Sequence, residues 1–159
     1  MSRKQNLYLG KAGQFAAMSY CLVRGWNVAT PEVDVGDDLI VIEDKKGIFF
    51  RIQVKTAQTT ERANGYTVQF NIPVKQLLAT IDPEIYYFLM VLHHETWSDK
   101  IIISRQDLAD LYINQQIGSV SHGNLMLYFV FQKDGKITCS GVDFSEYNHN
   151  LDSFPIISH

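Results

Sequence analysis

Cysteine is scarce in this chain. Cys21 and Cys139 are the only two, they stand far apart, and they form neither a Cys-x-x-Cys pair nor a metal-ligand spacing. That excludes a disulfide scaffold and a zinc ribbon, and a reduced, cytoplasmic setting is the expectation. Long apolar runs are missing too. The run at residues 85–92 is far too short to cross a bilayer. Residues 15–23 follow Arg3 and Lys4 as a secretion signal would, but Gln14 and Ser19 interrupt the region, Arg24-Gly25-Trp26 follows it, and no small-residue cleavage site closes it. No membrane association is expected. Gly10-Lys11-Ala12-Gly13 has the residues of a phosphate loop without its spacing, so no nucleotide is inferred. No nucleophile and base pair points to a small-molecule enzyme, and no repeat, linker or low-complexity tract divides the chain.

What is present suits one globular domain: 159 residues, 46% hydrophobic and 19% charged, enough to bury a core without help. The net charge of −3 argues by itself against nucleic acid. Its distribution argues the other way. Residues 1–75 carry ten Lys or Arg against seven Asp or Glu, whereas residues 76–159 carry four against ten. Basic side chains therefore gather in the first half, as a phosphate-facing surface requires.

The chain is organised around residues 38–56. Two β-branched, apolar runs flank a short polar segment ending in Gly47, the pattern of a hairpin of buried strands. With residues 44–47 as the loop, Glu43 faces Ile48 and Asp38 faces Gln53, and opposed Cβ atoms lie roughly 5 Å apart. The period of two then places Arg51, Gln53 and Lys55 on that same face, with Phe50, Ile52 and Val54 on the other. A carboxylate and an amide oxygen are hard ligands that suit Mg²⁺, and an ammonium beside them can hold a nucleophile or a phosphate. This combination describes a metal-assisted phosphodiester hydrolase.

Around the hairpin, a helix is expected over residues 7–24, capped by Asn6 and ended by Gly25. Phe15, Met18 and Leu22 would face inward, with Gln14 at the edge of that stripe and its amide toward the sheet. Residues 26–30 read as an edge strand, 57–65 as polar loop, 66–71 as a half-buried strand and 73–80 as a short helix opened by Pro73. Residues 85–92 and 100–103 read as strands, and Ser104-Arg105-Gln106-Asp107 as a helix cap. Asp134-Gly135 predicts a hairpin joining 125–132 to 136–140. Neighbouring His93 and His94 would point to opposite faces of a strand, so no shared ion is expected. The Asn, Ser and His-rich tail reads as surface or an interface arm.

Pro31-Glu32-Val33-Asp34-Val35-Gly36-Asp37-Asp38-Leu39-Ile40-Val41, followed after the loop by Gln53-Val54-Lys55 and preceded by the helix, resembles the core motif of the PD-(D/E)XK nuclease superfamily, up to about residue 75. The resemblance implies an α/β, restriction-endonuclease-like domain: a mixed central sheet flanked by helices, with residues 76–159 adding further strands. It implies Mg²⁺- or Mn²⁺-dependent hydrolysis of DNA. Asp38 would be the principal metal ligand, with Asp34 or Asp37 as lesser candidates, and Gln53 and the Val54 carbonyl would be further ligands. Lys55 is the motif lysine, and Gln14 stands where many relatives have a glutamate on the first helix. Glutamine at the position of Gln53 also occurs in active members. Lys11, Arg51 and Lys75 are phosphate candidates, as is Arg62 more weakly. A homo-oligomer, dimer or tetramer, is expected because cutting both strands takes two sites. The two amides leave an alternative, the same fold retained without catalysis to bind nucleic acid or protein. A regulatory protein without a nucleic-acid role is the more distant one.

Overall fold

A computed structural model describes residues 3–32, 36–44 and 47–154. Helix α1 (Arg3–Val23) comes first. It ends as expected at Gly25, whose φ of +78° lets its N–H reach the Leu22 carbonyl (2.9 Å) while Trp26 N–H reaches that of Cys21 (3.2 Å). It begins earlier than expected, so Asn6 lies inside the helix instead of capping it. The inward stripe also differs. Gly13, Ala17 and Cys21 face the sheet, whereas Phe15 is 56% and Leu22 52% exposed, and Met18 is only partly buried. The cause is close approach: a Cβ on Gly13 would overlap the Thr56 methyl and come within 3.2 Å of the Trp97 ring, so only small residues fit between helix and sheet.

The elements that follow are β1 (Asn27–Ala29), β2 (Leu39–Glu43), β3 (Ile48–Gln58), β4 (Thr60–Arg62), β5 (Gly65–Pro73), the single turn α2 (Val74–Leu77), β6 (Ile85–His93), β7 (Thr96–Ser104), α3 (Arg105–Gln115), β8 (Ser119–Ser121), β9 (Asn124–Gln132), β10 (Ile137–Cys139) and β11 (Val142–Asp143), then short 3₁₀ turns at Ser145–Tyr147 and Leu151–Ser153. The central sheet has the order β1-β2-β3-β6-β7 and is mixed, with β3 and β6 parallel and the other pairs antiparallel. Its hairpin has the expected register: Leu39 opposes Ile52 and Glu43 opposes Ile48. The middle of the connecting loop, and Asp34 before it, lie outside the described residues. The second sheet, β11-β10-β9-β5-β4 with β8 beside β9, is antiparallel throughout.

The fold is thus mixed α/β, as expected, but helix covers one face of the central sheet and a second sheet the other. On the α1 side, Leu39, Val41, Ile52, Phe88 and Met90 pack with Ala17 and Cys21. On the opposite side, Tyr87, Leu89 and Val91 pack against Val68 and Phe70 of β5 and Leu127 and Phe129 of β9. Residues 57–65, expected as loop, instead finish β3 and form β4, because β6 pairs with β3 as far as Gln58 and β5 offers β4 an edge. The hairpin at Asp134-Gly135 and the cap at Ser104, whose Oγ accepts from Asp107 N–H at 3.0 Å, stand as expected.

The described part of the tail, as far as Phe154, is not a surface arm. Leu151 and Phe154 are buried, and Phe154 stacks on Trp26 (5.2 Å) and meets Phe50, Tyr86 and Phe88 edge-on. Asp99 moors this segment, accepting hydrogen bonds from Asn148 Nδ2 (2.7 Å) and the Tyr66 hydroxyl, with His149 Nε2 at 3.6 Å. Burial alone would raise the Asp99 carboxyl, but hydrogen bonds from His149, Tyr66, Asn148 and Ser98 outweigh it and hold the group well below the usual carboxylate range.

Phe154→Ala removes a buried aromatic and should cost about 3–5 kcal/mol, read from urea unfolding midpoints. Asp99→Asn should cost about 2 kcal/mol at pH 7 through the lost charged hydrogen bonds. Because the folded carboxyl titrates below its unfolded value of about 3.9, its stabilisation is complete above that pH and vanishes as pH falls through the folded value. Unfolding curves of wild type and D99N should therefore converge in acid.

Candidate active site

Strand β2 begins at Leu39, opposite Ile52, while β3 runs on past that point, and Asp38 covers the step between them. Its N–H still bonds the Ile52 carbonyl (2.9 Å), and its carboxylate Oδ2 accepts from Val54 N–H (2.7 Å). The N–H and C=O of one strand residue leave on the same side, so the Val54 carbonyl opens toward Asp38.

Gln53 and Lys55 flank Val54 on the adjoining face. Gln53 is 7% exposed, and its Oε1 is buried with no hydrogen-bond partner among the described residues. Lys55 is half-buried, and none of the ion pairs among the described residues includes it. From α1, Gln14 Nε2 donates to the Asp38 carbonyl (2.7 Å), and Lys11 Nζ donates to Gln14 Oε1 (2.7 Å). The structure therefore joins Gln14 and the Val54 main chain to Asp38, and sets Gln53 and Lys55 on either side of Val54 on the face of β3 away from α1.

The other candidates are placed differently. Arg51 Nε donates to Asp37 Oδ2 at 2.8 Å, so its guanidinium is committed to an acid within the site. Asp37 is buried, and its second oxygen, Oδ1, has no partner among the described residues. Lys11 is exposed on α1, and Lys75 is exposed on α2. Beside Lys75, Gln76 Oε1 accepts from the Tyr87 hydroxyl (3.2 Å), and Gln76 Nε2 stands against Gly36. Tyr87 neighbours Gln53 across the parallel ladder, so Gln76 and Tyr87 form a wall of the site. Burial pushes the Tyr87 hydroxyl far above its ordinary pKa, which keeps it a neutral donor. Beyond Lys55, the end of β3 opens into a polar cleft of about 550 Å³ lined by Asn6, Thr56, Gln58, Thr67 and Tyr128. Arg62 Nη2 donates to Tyr128 Oη at 3.1 Å there.

The oxygens of Asp38, Gln53 and the Val54 carbonyl are the hard donors that small divalent cations prefer, and the orphaned Gln53 oxygen fits a ligand role. The wall from Gln76 and Tyr87 carries no sequence signal, because α2 reaches the hairpin only through the fold. The histidine pair departs from expectation as well. β6 ends at His93, and His94 and Glu95 both take positive φ (+44° and +62°), as a type I′ hairpin turn requires. Both imidazoles consequently reach Glu61 of β4.

No protein-family model matches the chain, and no curated protein does. A solved structure of a bacterial homing endonuclease, I-Ssp6803I, is similar, with a TM-score of 0.56 and 18% sequence identity. The superposition covers 97% of this chain and 93% of that one, so the two share a fold across nearly their full lengths.

Proposed function

We propose that this chain is a PD-(D/E)XK-type endonuclease that hydrolyses DNA phosphodiester bonds with Mg²⁺ or Mn²⁺. Asp38, Gln53 and Lys55 form its site, and Gln14 supports it. The observation that carries this reading is the buried, unpaired Gln53 Oε1, on the strand whose next residue, Val54, donates its N–H to the Asp38 carboxylate. An unsatisfied buried acceptor costs about 1–3 kcal/mol, which a bound ligand offsets. The fold shared with a homing endonuclease supports the same reading.

Asp38, Gln53 Oε1 and the Val54 carbonyl would hold the ion, which when bound supplies a Lewis acid and lowers the pKa of its water. Val54 N–H fixes the Asp38 carboxylate, and Gln14 steadies the Asp38 main chain from α1. Lys55 holds the phosphate and the attacking water. It offsets the negative charge that grows as the water oxygen bonds phosphorus and the ester oxygen leaves, taking a proton. Lys11 and Lys75 take flanking phosphates. Arg51 holds Asp37 in place.

Supercoiled plasmid incubated with the protein and Mg²⁺ or Mn²⁺ should be nicked and linearised, and Asp38→Ala and Lys55→Ala should each slow cleavage by about 10²–10³-fold. The amides Gln14 and Gln53 favour one rival, an inactive binding module. Intact plasmid together with salt-dependent retention on a DNA column would establish that rival and end the nuclease reading. Cutting both strands from one small site per chain takes more than one copy, so light scattering should give the mass of a dimer or tetramer. A monomer that makes double-strand breaks without assembling on DNA would overturn that expectation.

A further inference from the structure

Glu61, His93 and His94 lie away from the hairpin site, where the edge of the second sheet meets the β6–β7 turn. Their ligand atoms all lie within 4.8 Å of one another. His94 Nε2 stands 2.9 Å and His93 Nε2 3.6 Å from the same Glu61 oxygen, Oε1. Tetrahedral Zn²⁺ with bonds of about 2.0–2.1 Å separates its ligands by about 3.3 Å, between those two distances. Two imidazole nitrogens and one carboxylate oxygen form a borderline donor set that suits Zn²⁺ and its neighbours over Mg²⁺.

The surroundings orient these groups as metal-binding histidines are oriented. His93 Nδ1 lies 2.8 Å from Thr59 Oγ1, and with Nδ1–H donating there, the Nε2 lone pair faces Glu61. Thr59 is itself fixed, its N–H bonding the Leu92 carbonyl at 3.0 Å. The Tyr66 ring, opposite Glu61 in the β4–β5 ladder, stacks on the His93 ring at 4.4 Å, and its hydroxyl is tied to Asp99. The positive φ of His94 swings its ring beside that of His93, 4.2 Å between centroids.

From this we infer that Glu61, His93 and His94 bind one divalent transition-metal ion of the Zn²⁺ type, with water completing its shell. The ion staples β4 of the second sheet to the β6–β7 turn of the central sheet. Because Thr60, next to Glu61, lines the polar cleft, the staple stiffens that cleft's rim.

The test uses the full chain without an affinity tag, carrying Asp38→Ala so that the hairpin site cannot take up the probe, titrated with Zn²⁺ by calorimetry and with Co²⁺ by visible absorption. One equivalent should bind saturably, with the d–d bands of a low-coordinate Co²⁺ site, and raise the melting temperature. Glu61→Gln and His94→Ala, both at exposed positions, should each weaken binding by about 10–100-fold while circular dichroism stays native. With Asp38 replaced throughout, the bound equivalent belongs to Glu61, His93 and His94, which separates this site from the hairpin site whatever the fate of the nuclease reading. Absence of saturable binding, or binding that survives the combined Glu61→Gln and His94→Ala substitutions, would overturn the inference.

Discussion

The Val54 N–H has no neighbouring strand to pair with on that side, because β2 begins only at Leu39, opposite Ile52, while β3 continues to Gln58. A main-chain donor in the middle of a packed sheet cannot be left without an acceptor, and the Asp38 carboxylate fills that place. The arrangement does two things together. It lets β3 outrun its partner without breaking the sheet, and it fixes a negative charge at the point where the strands part. The strand period places the side chains of Arg51, Gln53 and Lys55 on one face of β3, where Arg51 turns to Asp37.

Strand β3 has different neighbours on its two faces, and each constrains the site. On one, α1 lies so close that Gly13 admits no side chain, which draws Gln14 to the Asp38 carbonyl. On the other, α2 is held over the hairpin by a buried guanidinium. Arg105 donates to the Leu77 carbonyl at 2.9 Å and grips both oxygens of Glu84 at 2.8 and 3.1 Å. A bidentate pair of this kind fixes orientation as well as distance. Gln76, on α2, depends on that anchor for its position against Tyr87.

The sequence made the hairpin legible, because β-branched runs around a glycine-ended loop leave one register in which Leu39, Val41 and Ile52 are buried together. That register sets Gln53 and Lys55 on either side of Val54, whose N–H the Asp38 carboxylate accepts. Less was visible wherever tertiary contact overrode local pattern. The spacing of Phe15, Met18 and Leu22 suggests an inward stripe, yet Gly13, Ala17 and Cys21 win because the backbones approach so closely. Strand β4 is too short and polar to show a period and exists because β5 offers it an edge. His94 and Glu95 lack the Asn-Gly signature of a type I′ turn, so alternation along a strand predicts the wrong side for His94. The polar tail conceals Leu151 and Phe154, and the partners of Phe154, Trp26, Phe50, Tyr86 and Phe88, all lie far away in sequence.

That last feature bears on how the molecule comes together. Phe154 caps the layer between α1 and the central sheet, and the Arg24 to Asp152 ion pair joins positions 128 residues apart. Closing so long a loop carries an entropic cost that local contacts cannot repay early, so this layer belongs to the final stage of folding. During synthesis, a ribosome that has released α1 and the hairpin still holds the residue that seals them. Trp26 therefore waits, uncovered, until nearly all of the described chain has emerged.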